Sequence, residues 1–592
     1  MNPVIERLCE AVDGDAMMRH LEVFARRVKL SGTPEELESF HYLRDQLQSF
    51  GVPAKLIMHD AYISLPGAAR LVVGELAPQC ITHSFSQSSP PAGLHAPVIY
   101  VKAGSPEDLS RVDVAGKIVL VDGIATPAVS VRASRAGALG QIHISPVEHL
   151  YEMCISPVWG SPTEEQRELL PTTVVVTVRA SDGEKMKARL ASGQEVKAEI
   201  HAEVDTRWRE TPILEANIKA EQAQDDSFVL FSGHHDTWYC GVMDNGGANA
   251  VMLEAARAFS RQTDTLKRHL RICFWSGHSH GRYSGSSWYA AANYHELHAN
   301  CVAHVNIDSV GAKGNTVLED ALSSDELFAV AAQAVKQQGG QELAGQRMSR
   351  AGDQSFWGIG VPAVFMAMGE QPAGSEHAVM GPAVSGSGKR KGAGFGWWWH
   401  TPDDTLDKID PELLVRDARI YFHAIGRLVT DAIVPLDIGR QADKLGRELS
   451  SLAQTLAGRL DLSGPITHVA TLGQLATELH RLSVDAPASL HVTANRTLMM
   501  TCRDLVPIDY TQGDRFGQDP AVKQGAYPSL DPLRLLGAAP VGSDEAMFRA
   551  VSARRALNRL EHALLSAQEK INHGIGLMHT QAQAPSPNPE VR

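Results

Sequence analysis

From about Thr206 to Val434, short apolar runs alternate with stretches of helical periodicity, and this alternation constrains the fold more than any other feature of the 592-residue chain. Phe228–Ser232, Leu270–Trp275, Cys301–Ile307 and Pro362–Met366 read as strands. Between the first two, Ala248, Val251, Met252, Ala255, Ala256 and Phe259 recur at helical spacing and form one face of a helix over Gly246–Phe259. Alternating strands and helices predict an α/β fold whose mainly parallel sheet is flanked by helices.

The flanking segments differ in texture. Residues 1–59 read as largely helical. Leu37, Phe40, Leu43 and Leu47 share a helix face, and Gly51-Val52-Pro53 stops it. Residues 60–205 are β-rich, with strand-like runs at Arg70–Val73, Val98–Val101, Lys117–Val121 and Thr173–Val178 and a helix-like stretch near Val129–Ala138. This segment reads as an inserted domain, so 1–59 and 206–434 together make the α/β domain. Residues 435–580 read as a helical domain, with helices near 440–460, 467–483 and 547–572 and a loop rich in Asp, Gly and Pro over 503–545. The Pro-rich tail 581–592 reads as disordered.

Charge and cysteine usage narrow the class. The chain has 68 acidic and 55 basic residues, a net charge of −13, which argues against a general nucleic-acid partner. No run of about 18 apolar residues occurs, so no membrane span is expected. The N-terminal MNPVIERLCEAVDGDAMM lacks a basic stretch followed by an apolar one, so no signal peptide is expected. Seven scattered cysteines without a CxxC pair predict a reduced, cytoplasmic protein.

The residues with metal-binding chemistry sit at strand ends. In SGHHDTWYCGVMDNGG (232–247), His234 follows a strand directly, Asp236 is two residues on, and Asp244 opens a helix. Loops at the carboxyl ends of parallel strands are where α/β sheets place ligands. A histidine gives a neutral nitrogen to a zinc-like ion, an aspartate can bridge two ions, and Asp236 is placed to orient His234 through its other ring nitrogen. Asp308 follows another strand in VNIDSVG (305–311), and His400 precedes a polar turn in WWWHTPDDTLDKID (397–410). Each of these residues alone also fits a polar loop residue or a turn cap. Asp353, in GDQSFWGIG, reads best as a helix N-cap.

Together these motifs resemble peptidase family M28, which includes bacterial aminopeptidases and the glutamate carboxypeptidase and transferrin receptor group. The resemblance implies a divalent metal, zinc by preference and one or two ions. Asp244 would bridge, with His234 and Asp308 on one ion and His400 on the other, and Asp236 would support them. The stretches DVAGKIVLVDG (113–123), GQIHIS (140–145) and PTTVVVTVRASDGEKMKARL (171–190) resemble the protease-associated domain. Residues 494–520 resemble the family's helical dimerisation region, which implies a homodimer.

One family motif is missing. Where a Glu-Glu pair is expected, the chain reads FWSGHSHGRYSGSSWYA (274–290), which offers His278, Ser279 and His280 in a register uncertain by one residue. The first Glu would be the general base and the second a metal ligand, and a serine does neither well. A histidine suits either task. His278 as base with His280 as ligand is one reading. A single histidine ligand with the base elsewhere is another, and a dead site with both histidines as loop residues is the third. Arg282 could bind a substrate carboxylate, Tyr283 could donate to an oxyanion, and Trp399 could wall a substrate pocket. Residues 381–396, with Lys389, Arg390 and Lys391, read as a lid or as a surface loop. The implied activity is an exopeptidase acting on a small peptide or amide, as aminopeptidase, carboxypeptidase or dipeptidase. A hydrolase of N-acyl amino acids and a catalytically silent binding protein are the alternatives.

Overall fold

A computed structural model describes residues 2–193, 195–375, 395–484 and 486–583. The 381–394 part of the lid-or-loop stretch and the 584–592 part of the tail lie outside them. Among the described residues, eleven strands form one continuous mixed sheet. They are β1 (Ala54–Val73), β2 (Cys80–Thr82), β3 (Leu94–Tyr100), β4 (Ile118–Asp122), β5 (Gly140–Ile144), β6 (Val174–Val178), β7 (Lys197–Ile218), β8 (Phe228–His234), β9 (His269–Trp275), β10 (Cys301–Asn306) and β11 (Ala363–Val364). The order along the sheet is β11-β10-β8-β9-β7-β3-β4-β5-β6-β2, with β1 paired to β7.

The core half follows from the apolar runs. β8, β9 and β10 are buried along nearly their whole length, as strands covered on both faces must be. β8 pairs in parallel with both β9 and β10, and β10 pairs in parallel with β11. The register sets His234 opposite Trp275 and Ser232 opposite Asn306, so the carboxyl ends of three strands open on one edge. The helices Ala248–Phe259 and Pro411–Thr430 cover the sheet, the second capped by Asp410, which accepts from the backbone N–H groups of Glu412 and Leu413.

The inserted segment has its own apolar core, including Ile118, Leu120, Ile142, Val176, Met186 and Ile200. Parallel β3–β6 build it, with helices Pro127–Arg135 and Ala180–Ala191. Its expected limits at 60 and 205 fall inside β1 and β7. These two long strands pair antiparallel from Ala54↔Ala216 to Val73↔Ala198 and run through both halves. Pro66 and Gly67 hid the continuity of β1, and the pairing register shifts between Pro66 and Ala69.

The C-terminal region is helical, with Ile438–Leu456, Ser463–Val484, Ala488–Tyr510, Asp531–Ala538 and Asp544–Gln583. The expected loop over 503–545 is therefore corrected at its start and in its interior. The helix Ala488–Tyr510 runs into it, with Pro507 inside its last turn, and Asp531–Ala538 forms a further helix. Its apolar residues join the same core cluster as those of the α/β half.

A candidate metal centre at the strand ends

His234 ends β8, and its Nδ1 lies 2.9 Å from the carbonyl oxygen of Asp236. A carbonyl only accepts, so Nδ1 carries a proton and Nε2 is the nitrogen turned toward the carboxylates. Nε2 lies 3.2 Å from Asp244 Oδ1 and 3.6 Å from Asp308 Oδ2, is buried, and makes no hydrogen bond. His400 repeats the arrangement. Its Nδ1 is 2.6 Å from the Glu152 carbonyl, and its Nε2 is 3.1 Å from Asp244 Oδ2. The Nε2 atoms of two imidazoles thus face the two oxygens of one buried carboxylate.

That arrangement calls for positive charge between the facing atoms, which a proton on the nitrogen or a shared metal ion supplies. A tetrahedral zinc-type ion with ligands at about 2.0–2.2 Å holds its donor atoms about 3.3 Å apart. The spacings of 3.1, 3.2 and 3.6 Å fit this. His234, Asp244 and Asp308 would hold one divalent ion, and Asp244 with His400 would contribute to a second. The electrostatics show the same demand for positive charge. Burial alone would depress the His234 imidazole, but the Asp308 and Asp244 carboxylates outweigh it and raise it well above its usual range. Asp244 is held well below the carboxylate range by the two histidines, against its burial, while burial lowers His400.

These side chains are supported from behind. Asp404, four residues after His400, accepts from the backbone N–H of Met243 at 2.8 Å and of Asp244 at 3.0 Å, and burial pushes its own carboxyl up to about 7. The peptide bond between Asp244 and Asn245 is cis. Asn245 accepts from the Ser309 N–H at 3.0 Å, and the Ser309 hydroxyl donates to Asp308 Oδ1 at 2.9 Å, which leaves Oδ2 for the His234 side. His235 lies between Asn249 and Ser39 and is structural. Tyr239, Arg282, Tyr283, Ser309 and His400 all have φ between 49° and 70°. Such left-handed backbone is costly for side chains larger than glycine, and it gathers around this centre.

Asp236 acts through two groups. Its carbonyl, rather than its carboxylate, orients His234, because the nearer carboxylate oxygen is 3.9 Å from Nδ1. The carboxylate instead accepts from the backbone N–H of His278 at 3.2 Å, from that of Ser279 at 2.8 Å and from the Ser31 hydroxyl at 2.7 Å. It therefore holds the loop that stands where Glu-Glu was expected.

That loop places its two histidines differently. The His278 ring stacks on His234 with centroids 3.7 Å apart, and a ring nitrogen of each converges with an Asp308 oxygen to within 4.8 Å. Its Nδ1 lies 2.9 Å from Asp353 Oδ2. Among the described residues, His280 is outside this converging group. Its Nδ1 is 3.0 Å from the Ser31 hydroxyl, its ring packs on Trp238, its Nε2 is buried without a partner, and burial lowers it to about 4.

The expected substrate groups ring the centre. Tyr283 lies edge-on to His278 at 4.8 Å, and Trp159 of the insert packs on it with ring centroids 4.2 Å apart. Arg282 donates to the Ala521 carbonyl at 3.0 Å and lies over the Tyr283 ring. Trp399 stacks on His400 at 3.5 Å and on Phe395 at 4.8 Å, Trp398 is buried, and Trp397 stacks on His149. Asp353, Asp404 and Ser31 were missed as site residues. No helix starts at Asp353, and nothing in GDQSF distinguishes a buried partner of His278 from a cap.

Residues 215–425 match the model of peptidase family M28. A probable glutamate carboxypeptidase of Zea mays is 28% identical over 90 residues, 15% of this chain and 12% of the maize protein. A probable glutamate carboxypeptidase of Arabidopsis thaliana is 21% identical over 529 residues, 75% of this chain and 72% of that protein. Among solved structures, a zinc aminopeptidase of Bacillus subtilis superposes with a TM-score of 0.55 at 18% identity, covering 71% of this chain and 96% of that one.

Proposed function

Residues 215–425 form a domain of peptidase family M28, and on that premise we propose that the protein is a metal-dependent hydrolase of peptide or amide bonds, most simply a zinc exopeptidase. The observation that carries this reading is Asp244, whose two oxygens each face the free nitrogen of a histidine. A bound divalent ion supplies Lewis acidity, which acidifies water and polarises the scissile carbonyl.

The chain's own residues would do the rest. His278, with Nδ1 engaged, has Nε2 left to take a proton from the attacking water and pass it to the leaving amine. Tyr283, packed against His278, is the candidate donor to the oxyanion, and Trp399 walls the His400 side. Arg282 gives one N–H to the Ala521 carbonyl and has others to offer, so carboxyl-terminal substrates, amino-terminal ones and N-acyl amino acids all stay open. With no glutamate ligand, the His400 side is the weaker of two ion sites, unless His280 Nε2 turns to complete it.

A second reading has a specific support. The convergence of His278 with His234 and Asp308 also fits His278 as a further ligand. His278→Gln separates the two. As a base, its loss lowers kcat about 10²- to 10⁴-fold with bound metal unchanged. As a ligand, its loss lowers metal content first. Turnover of a peptide panel that is unaffected by His278→Gln would remove both roles, and no turnover of any substrate by metal-loaded wild type would turn the reading to a silent binding protein.

A homodimer through the helical C-terminal region is also proposed. Val541, Met547, Phe548 and Val551 there are more than half exposed, which supports an apolar contact face. Sedimentation of wild type and of a Met547→Glu, Phe548→Glu variant tests it, with a dimer expected only for the first. A cytoplasmic location is the accompanying proposal. Among the described residues no helix is long and apolar enough to cross a membrane.

A further inference from the structure

Asp353 is 1% exposed, and both of its carboxylate oxygens are committed. Oδ2 lies 2.9 Å from His278 Nδ1, and Oδ1 accepts from the Ser286 hydroxyl at 2.8 Å. Ser286 in turn lies 2.8 Å from the Ser355 hydroxyl, which accepts from Trp159 Nε1 at 2.8 Å. A buried chain of hydrogen bonds thus runs from the inserted segment through Asp353 to the ring beside the metal centre. Gly352, at φ +62°, lets this turn approach the sheet, since a Cβ there would lie 2.6 Å from the Met366 sulfur and 3.0 Å from the Asn306 amide.

We propose that Asp353 is the positioning residue for His278, holding its proton on Nδ1 and its ring against His234, so that Nε2 is the nitrogen presented for reaction. Which ring nitrogen carries the proton is set by the partner of the other, and a carboxylate accepts only from N–H. The pair would thereby take over as a unit the task of a single carboxylate base. This rests on the reading of His278 as the base, and it adds a residue that touches neither substrate nor ion.

The test uses metal-free full-length protein labelled with nitrogen-15 histidine, in which the resonances lost in His278→Gln assign that ring. The wild-type ring is expected as the Nδ1–H tautomer. In Asp353→Ala and Asp353→Asn it is expected as the other tautomer or a mixture. In the metal-loaded proteins both Asp353 variants should lower kcat about 10²-fold or more, with KM and bound metal unchanged. Adding Asp353→Asn to His278→Gln should cost nothing further, because the two act as one unit. An unchanged tautomer in both variants, or fully multiplicative losses in the double variant, overturns the proposal. If the tautomer changes but His278→Gln keeps full kcat, the positioning stands and the base assignment fails. If His278→Gln loses kcat while both Asp353 variants match wild type in tautomer and rate, the base assignment stands and the positioning fails.

Discussion

At the scale of single residues, the centre depends on where each second nitrogen or oxygen goes. His234 and His400 spend Nδ1 on main-chain carbonyls, and Asp308 spends one oxygen on Ser309. What remains points inward. That His234, Asp244, Asp308 and His400 would meet was legible from their places at strand and loop ends, read together with the family resemblance. The supporting residues were not, because Asp353, Asp404 and Ser31 look like any turn residue until the fold brings them to their partners. A buried group away from the centre gives a separate test. Glu326 is 1% exposed, and burial raises its carboxyl to about 8. Below about pH 4.5 it is protonated whether folded or unfolded. As pH rises toward 8, the unfolded chain ionises first, so the wild type loses stability through this window. Glu326→Gln removes that loss. Its thermal midpoint should gain on wild type between pH 5 and pH 8, and an identical difference at both pH values would show that Glu326 is not held protonated.

At the scale of elements, strands with uninterrupted apolar runs were the easiest to read. β8, β9 and β10 stand where Val, Ile, Leu and Phe cluster, and parallel pairing follows from the helices between them. Elements defined by distant contacts were not readable. β1 extends from Ala54 because β7 pairs with it along its length, and the helix Ala488–Tyr510 tolerates Pro507 and polar residues because it is buried. Arg503 shows why that helix matters. It is fully buried and donates to the carbonyls of His298 and Gly360 at 2.8 Å each, and to that of Cys301 at the start of β10. Arg503→Leu should destabilise the fold by at least about 3 kcal/mol, since several buried carbonyls lose a charged donor together. Denaturant unfolding checks this, and a loss below about 1 kcal/mol would mean that the helix is anchored by apolar packing alone.

At the scale of the whole molecule, three parts of the chain meet at one centre. The α/β half supplies His234, Asp244, Asp308 and His400. The insert supplies the Glu152 carbonyl behind His400 and Trp159 behind Tyr283, and the C-terminal region supplies the Ala521 carbonyl that holds Arg282. The insert and the C-terminal region are therefore structural partners of the site as well as neighbours in sequence. This convergence could not be read from order and texture alone, because Glu152, Trp159 and Ala521 carry no motif.

The central claim is that Asp244 is shared between ions, and metal content per chain tests it most directly. Protein purified without chelator and reloaded with zinc should bind at least one ion tightly and approach two at higher metal concentration, and Asp244→Ala should lose both while remaining folded. Metal content unchanged in a folded Asp244→Ala variant, or no ion in wild type after reloading, would contradict the account.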